Sequence, residues 1–169
     1  MRTTLVLIAS LLAGCFGEIT DLDDSRTNPT APDAQTFDAK AVFRQWSGCM
    51  TMTNFQTASM ATSWTQLTTN DGKQCVNCHD QGAYNFIASD DETAFFTGLS
   101  QHSYFLAMYF KVDPATKKVE INTDSFKGAN TTAGHPRFNA TSNQGLTALT
   151  TFHAATAANT ACEPPRMLD

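Results

Sequence analysis

Charge is scarce in this chain. Only 16% of its 169 residues are Asp, Glu, Lys or Arg. No Lys/Arg cluster occurs anywhere, which argues against nucleic acid as a partner. The net charge of −5 leaves a mildly acidic surface, suited to a basic docking partner if charge steers encounter. No apolar run is long enough for an ordinary membrane-spanning helix. No internal repeat is visible, and no phosphate loop, Ser/His/Asp set or paired-carboxylate pattern occurs, so no familiar hydrolytic or phosphoryl-transfer chemistry is signalled. A second His/Cys pair at finger-like spacing is also missing, which speaks against structural zinc. Thr, Ala, Asn, Ser and Gln are abundant instead, a neutral polar composition common among exported proteins.

The N-terminus reads as a targeting segment. Arg2 supplies a positive charge, Leu5 to Leu12 a short apolar stretch, and Ala13-Gly14 the small residues that a cleavage site requires. Residues 1–14 are therefore expected to be a signal peptide. Leu12-Ala13-Gly14-Cys15 resembles the lipobox of bacterial lipoproteins. That resemblance implies that Cys15 becomes the mature N-terminus and carries acyl chains, an anchor that would hold the protein at a membrane surface. Phe16, rather than Asp, after the lipidated Cys implies outer-membrane sorting by resemblance to enteric lipoproteins. The expected location is the bacterial cell envelope, at the outer membrane or the periplasmic face. Residues 15–36 carry Asp21, Asp23, Asp24, Asp33, Pro29 and Pro32 without hydrophobic periodicity. They read as the lipidated Cys and a flexible tether.

Five cysteines is an odd number for an exported chain and calls for an account of each. Cys15 goes to lipid. Cys75-Val76-Asn77-Cys78-His79 is C-x-x-C-H, the c-type haem attachment signature. Two thiols three positions apart lie on one side of a helical turn and can reach two vinyl groups along one haem edge. The adjacent imidazole then serves as proximal iron ligand. Cys49 and Cys162 remain, and oxidising conditions favour a disulfide between them. A thioredoxin-like motif would want a preceding strand, whereas a helical, Trp-containing stretch precedes this one. A plain Cys75–Cys78 disulfide is the other alternative.

From these residues the chain resembles c-type cytochromes, most nearly the class I family, over roughly residues 53–160. The resemblance implies a mainly α fold: a cytochrome c-like helical domain around one covalent haem c, here with an extra N-terminal helix and a small β-hairpin. It implies that a helix runs into the haem motif, that a loop supplies the second axial ligand, and that a C-terminal helix packs across the N-terminal one. Gly134-His135-Pro136 looks like the ligand loop, with His135 where the family has Met. His135 is therefore the first candidate for distal ligand, and Met108, His102, Met60 and His153 are the alternatives. A vacant sixth site is a further possibility.

Local patterns set the expected elements. Phe37, Ala41, Val42, Trp46 and Cys49 fit one helix face, ended by Ser47-Gly48. Thr53 is expected to cap a helix to about Leu67, and Asn70-Asp71-Gly72 to break the chain before the haem motif. Ser89-Asp90-Asp91-Glu92 reads as a capping box opening a helix to about Gln101, with Phe95, Phe96 and Leu99 inward. The stretch Tyr104 to Phe110 is ambiguous by period. Phe110-Lys111-Val112 and Val119-Glu120-Ile121 flank a turn and read as a hairpin. Residues 122–141 are expected to be loop, and Ser142 to cap a last helix with Leu146, Leu149, Phe152 and His153 facing the core. The haem domain is expected to span 37–163 and a disordered tail 164–169. Asn130-Thr131-Thr132 and Asn139-Ala140-Thr141 are sequons with little meaning in a bacterial lipoprotein.

The function these observations favour is one-electron transfer between redox partner proteins at a membrane surface. A haem-based ligand sensor or peroxidase-like enzyme is the second reading. A haem-free, disulfide-bonded surface lipoprotein is the third.

Overall fold

A computed structural model describes residues 37–168. The expected signal peptide at 1–14, the lipidation candidate Cys15 and the rest of the expected tether to residue 36 lie outside the described residues. The described part is mainly helical, with eight α-helices and one two-stranded antiparallel sheet.

Helix α1 (Ala39–Ser47) begins where the Asp38 carboxylate accepts the Lys40 and Ala41 amides. Because the helix starts after Asp38, Phe37 falls outside it and is exposed, as is Ala41. The inward face is Phe43 and Ser47, with Val42 and Trp46 half-buried beside them. The single helix expected from Thr53 to Leu67 is two helices, α2 (Met52–Thr57), capped by Thr51, and α3 (Met60–Thr65). Ser59 separates them in the left-handed region at φ 55°. Five threonines between Thr51 and Thr65 make this stretch a weak helix former, and the kink lets Phe55, Met60 and Trp64 all reach the core.

A tight turn follows, with Gly72 at φ 80° and the Thr69 amide bonded to the Lys73 carbonyl at 2.8 Å. Helix α4 (Val76–His79) is one short turn. A 3-10 turn, Ala83–Asn85, leads to α5 (Glu92–Gln101) and α6 (Ser103–Tyr109), so the ambiguous aromatic stretch is helical up to Tyr109. The α5 cap is Asp91 rather than Ser89: Asp91 accepts the Thr93 and Ala94 amides, while Ser89 is buried and donates to Asp80.

Strand β1 (Phe110–Val112) pairs with β2 (Val119–Ile121), Lys111 facing Glu120. The region expected to be loop at 122–141 contains α7 (Thr123–Thr131), capped by Asn122. Its composition hides it: Phe126 is its one buried apolar anchor, so packing rather than propensity forms it. Helix α8 (Gln144–Ala158) is capped by Asn143, not Ser142. Leu149 and Phe152 are buried on its inner face, while Leu146 and His153 are half-buried.

The core is aromatic. Phe55 meets Phe95, Phe96 and Phe152 edge-on at 5.2 to 5.7 Å between ring centroids. Trp64 meets Tyr109 edge-on at 5.0 Å, a favoured arrangement. Helix α8 packs across α3 through Gly145, where a Cβ would lie 2.9 Å from the Trp64 ring.

Cys49 and Cys162 are joined by a disulfide. Beyond it residues 166–168 are packed, where the sequence predicts a disordered tail over 164–169. Arg166 donates to the Met50 carbonyl, Met167 is buried, and the Leu168 amide bonds to the Gln101 carbonyl. Helix α8 has ended at Ala158, yet Arg166 bonds to the Ser47 hydroxyl on α1 and the Met50 carbonyl beyond it, and Leu168 to the end of α5.

Candidate functional site

Helix α4 is short because its role is local. Cys75 opens it, the His79 amide bonds to the Cys75 carbonyl at 3.0 Å, and the Cys75 amide is tied to the Leu67 carbonyl at 3.3 Å. One turn thus carries Cys75, Cys78 and His79 on neighbouring positions. Cys75 is half-buried, Cys78 exposed and His79 half-buried. Both cysteines are free thiols, not bonded to each other. Burial pushes the Cys75 thiol up to about 11, so it is protonated at neutral pH.

His79 is oriented by the backbone beyond it. Its Nδ1 lies 2.8 Å from the Ala83 carbonyl. A carbonyl only accepts, so Nδ1 carries the proton and Nε2 keeps its lone pair. Burial, reinforced by the nearby His135, lowers the His79 pKa against the opposing pull of the Ala83 bond, which favours the neutral imidazole a metal requires. The Ala83 carbonyl is presented by a tight reversal: Gly82 has φ 79°, Tyr84 φ 59° and Asn85 φ 60°. The Phe105 ring fills the place a Gly82 side chain would take. On its other side His79 meets Phe86 edge-on at 4.9 Å, and Phe86 stacks on Tyr109 at 4.9 Å.

Cys75, Cys78, His79, Tyr84 and Phe86 line a cavity of about 620 Å³, together with Trp64, Met108, Phe126, His135, Pro136 and Phe138. That volume is in the range of small-molecule and cofactor sites. The His79 and His135 ring centroids are 6.2 Å apart. Two polar atoms of the cavity's lining residues, His135 Nδ1 and Trp64 Nε1, are buried without a hydrogen-bond partner, an arrangement that costs roughly 1–3 kcal/mol for each. Among the described residues no three His, Cys, Asp or Glu side chains gather to hold a bare ion.

Of the residues singled out from sequence, the structure brings Cys75, Cys78, His79, His135 and Met108 to this cavity. His102 is not among its lining residues and stands beside Tyr104 and Phe105. Met60 is fully buried in the core. His153 directs Nε2 to the Val119 carbonyl at 2.7 Å and lies against Trp46 and Phe110, so that nitrogen is already committed as a donor. Sequence reasoning missed the Ala83 carbonyl, which has no side-chain signature, and the walls formed by Phe86 and Phe126. The only available signal was Gly82, a residue suited to a reversal just after the motif.

Comparison with protein-family models, curated proteins and solved structures finds no match to this chain. Among the described residues no helix is long and apolar enough to cross a membrane.

Proposed function

We propose that this protein is a single-haem c-type cytochrome, anchored by lipid on Cys15 at the bacterial cell envelope, that carries one electron at a time between redox partner proteins. The observation that carries the reading is the placement of Cys75, Cys78 and His79 on one turn, beside a cavity that His135 also lines. The donor set fits the group: two thiols that would form its thioether bonds and two imidazoles that would hold its iron. Two imidazoles bound end-on to one metal at about 2.0 Å each would have ring centroids roughly 6 Å apart, and the observed separation is 6.2 Å. The unpartnered His135 Nδ1 is a buried nitrogen in search of a partner. The finer fold reading, a cytochrome c-like domain, is supported by α3 preceding the motif and α8 packing across α3.

Bound haem c supplies a one-electron iron couple. The remaining tasks belong to the chain. Cys75 and Cys78 would hold the group covalently. The Ala83 carbonyl fixes the His79 tautomer, and His79 and His135 would hold the iron, a pairing that would lower the potential relative to His/Met. Trp64, Phe86, Phe126 and Phe138 exclude water from an apolar disc. Cys78 and Tyr84, the latter 88% exposed, stand at the surface, where a small, transient docking interface suffices for electron exchange.

The test is a reduced-minus-oxidised visible spectrum of the full chain matured in a cytochrome c-competent host, with an intact mass. Expected are the α-band of a two-thioether haem and the mass increment of one porphyrin. Colourless protein of unmodified mass ends this reading. Rapid carbon monoxide binding to the reduced wild-type protein would favour the sensor or peroxidase-like reading over simple electron transfer. His135→Ala is expected to abolish the low-spin spectrum, whereas a fall-back on Met108 would show as a shift toward His/Met character.

A further inference from the structure

The geometry points to Asn130 as the positioning residue of the distal loop: its side-chain oxygen clamps the base of the segment that presents His135, and so sets how firmly that imidazole holds its place. This inference rests on the proposed haem reading.

Asn130 is the penultimate residue of α7, and its Oδ1 accepts the Phe138 amide at 3.1 Å. The bond closes a loop over residues 131–137. Inside that loop Thr131 and Thr132 bond back to the Gly128 and Ala129 carbonyls of α7, and to nothing across the cavity. Thr131, Thr132, Ala133 and Gly134 are exposed, Gly134 takes φ 79°, and the His135 amide bonds only locally, to the Thr132 carbonyl at 3.2 Å. Two anchors fix the far end. The Phe138 ring is buried and lies 6.4 Å from the His135 ring. The Asn70 amide donates to the Arg137 carbonyl at 2.7 Å, tying the loop to the turn that precedes Cys75. Asn70 acts through its backbone, so no side-chain substitution removes that contact. The clamp at Phe138, in contrast, depends on one side-chain acceptor. Without it the Phe138 amide, in a part-buried position, loses its partner, and the far end of the loop keeps one hydrogen bond, from the Asn70 amide, beside the buried Phe138 ring. The amide of the Asn130-Thr131-Thr132 sequon thus has a structural task.

The acceptor is the part that matters, which makes the claim separable from general stability. Asn130→Asp keeps an acceptor oxygen in place, Asn130→Ala removes it, and Asn130→Gln carries the same amide one methylene too far. Each variant is prepared as full-length, matured protein. Covalent haem is confirmed by mass, and the reduced protein is mixed with carbon monoxide, which enters only when His135 leaves. Expected is a rate about tenfold faster for Asn130→Ala than for wild type, equivalent to ~1.4 kcal/mol, near what one hydrogen bond contributes. Asn130→Asp should restore the wild-type rate. If Asn130→Ala does not accumulate, the pair Gln and Asp decides, Gln behaving as the loss and Asp as wild type. A wild-type rate in Ala or Gln overturns the inference, and so does an equal acceleration in Asp. Wild-type protein without haem removes the functional reading itself, an outcome visible before any variant is made.

Discussion

Around Cys49 the chain is closed by a covalent bond and a run of long-range hydrogen bonds, whereas around His79 it is shaped by turns. In the first region the Cys49–Cys162 disulfide spans 113 positions, and the Asn159 amide, the Glu163 amide and the Arg166 guanidinium all bond to backbone carbonyls between Gly48 and Met50. In the second, Gly72, Gly82, Tyr84, Asn85 and Gly134 all adopt positive φ, α4 is only four residues long, and the walls enclose about 620 Å³. The first region spends its sequence on closing a globule. The second spends it on presenting donors around a space, with strain and unpartnered polar atoms concentrated there, as is usual where a site is built. The division suggests that global stability is set mainly at one side and occupant geometry at the other.

Breaking the disulfide should have the largest effect and should separate the two regions. For Cys49→Ala/Cys162→Ala the chain-entropy model gives a loss of about 4–5 kcal/mol for so long a loop, read from chemical denaturation. The visible spectrum of matured protein should be unchanged, since neither cysteine lines the cavity. A spectral change would show the regions to be coupled. Gly82→Ala should come next, also destabilising but reaching the cavity side. It adds a Cβ at φ 79°, where the Phe105 ring already sits, costing about 3 kcal/mol from left-handed strain and overpacking. It should also loosen the His79–Ala83 bond, visible as a changed His79 ring resonance in NMR spectra. A variant as stable as wild type would mean that Phe105 moves aside freely.

How far each region was legible in the sequence follows the same line. Local periodicity and turn chemistry located α1, α5, α8 and the hairpin at 110–121, because each carries its own apolar stripe or alternation. The spacing Cys75-x-x-Cys78-His79 was legible because one helical turn is a local object. The break at Ser59, the helix α7 and the packing of 166–168 were not. They depend on contacts between distant segments, such as Leu168 with Gln101, that no window of residues contains. The cap of α5 went to Asp91 because Ser89 was drawn away by Asp80, nine positions earlier. His135 was singled out by family resemblance rather than by pattern. Its neighbourhood with His79, 56 positions apart (135 − 79), is a tertiary fact. The Ala83–His79 contact and the Asn130 clamp each have a backbone atom as one partner, the Ala83 carbonyl and the Phe138 amide, which no residue pattern marks.

Tyr109 stands between the two regions and sharpens the comparison through pH. Its hydroxyl donates to the Ile87 carbonyl, and its ring packs on both Trp64 and Phe95. Burial, with a smaller contribution from Cys75, raises its pKa well above the ordinary value. The folded state then keeps the phenol protonated where the unfolded chain ionises. Its contribution is therefore full below about pH 10 and declines as pH rises toward the folded value, by up to about 1.4 kcal/mol per pH unit. Tyr109→Phe should cost about 1–3 kcal/mol at pH 8 by leaving the carbonyl unpaired. The deficit should shrink between pH 10 and 11, because the variant has no phenol to ionise. A deficit independent of pH would sink the argument.

The smallest expected effect tests where the boundary between the regions runs. Asp91 caps α5 through the Thr93 and Ala94 amides at 2.9 and 3.0 Å, and α5 carries Phe95, Phe96 and Leu99 into the core. Asp91→Ala should therefore lower global stability by about 1 kcal/mol and leave the cavity untouched. Two positions earlier, Ser89 accepts the Asp91 amide at 3.2 Å and donates to Asp80 at 2.6 Å, immediately after His79. Ser89→Ala should instead release the segment between His79 and Ile87, raising amide exchange there more than in α8. If both variants lower stability alike and neither changes exchange around His79, the turn after the motif belongs to the core's cooperative unit. The division drawn between the closed corner and the cavity would then have to move to the far side of Phe86.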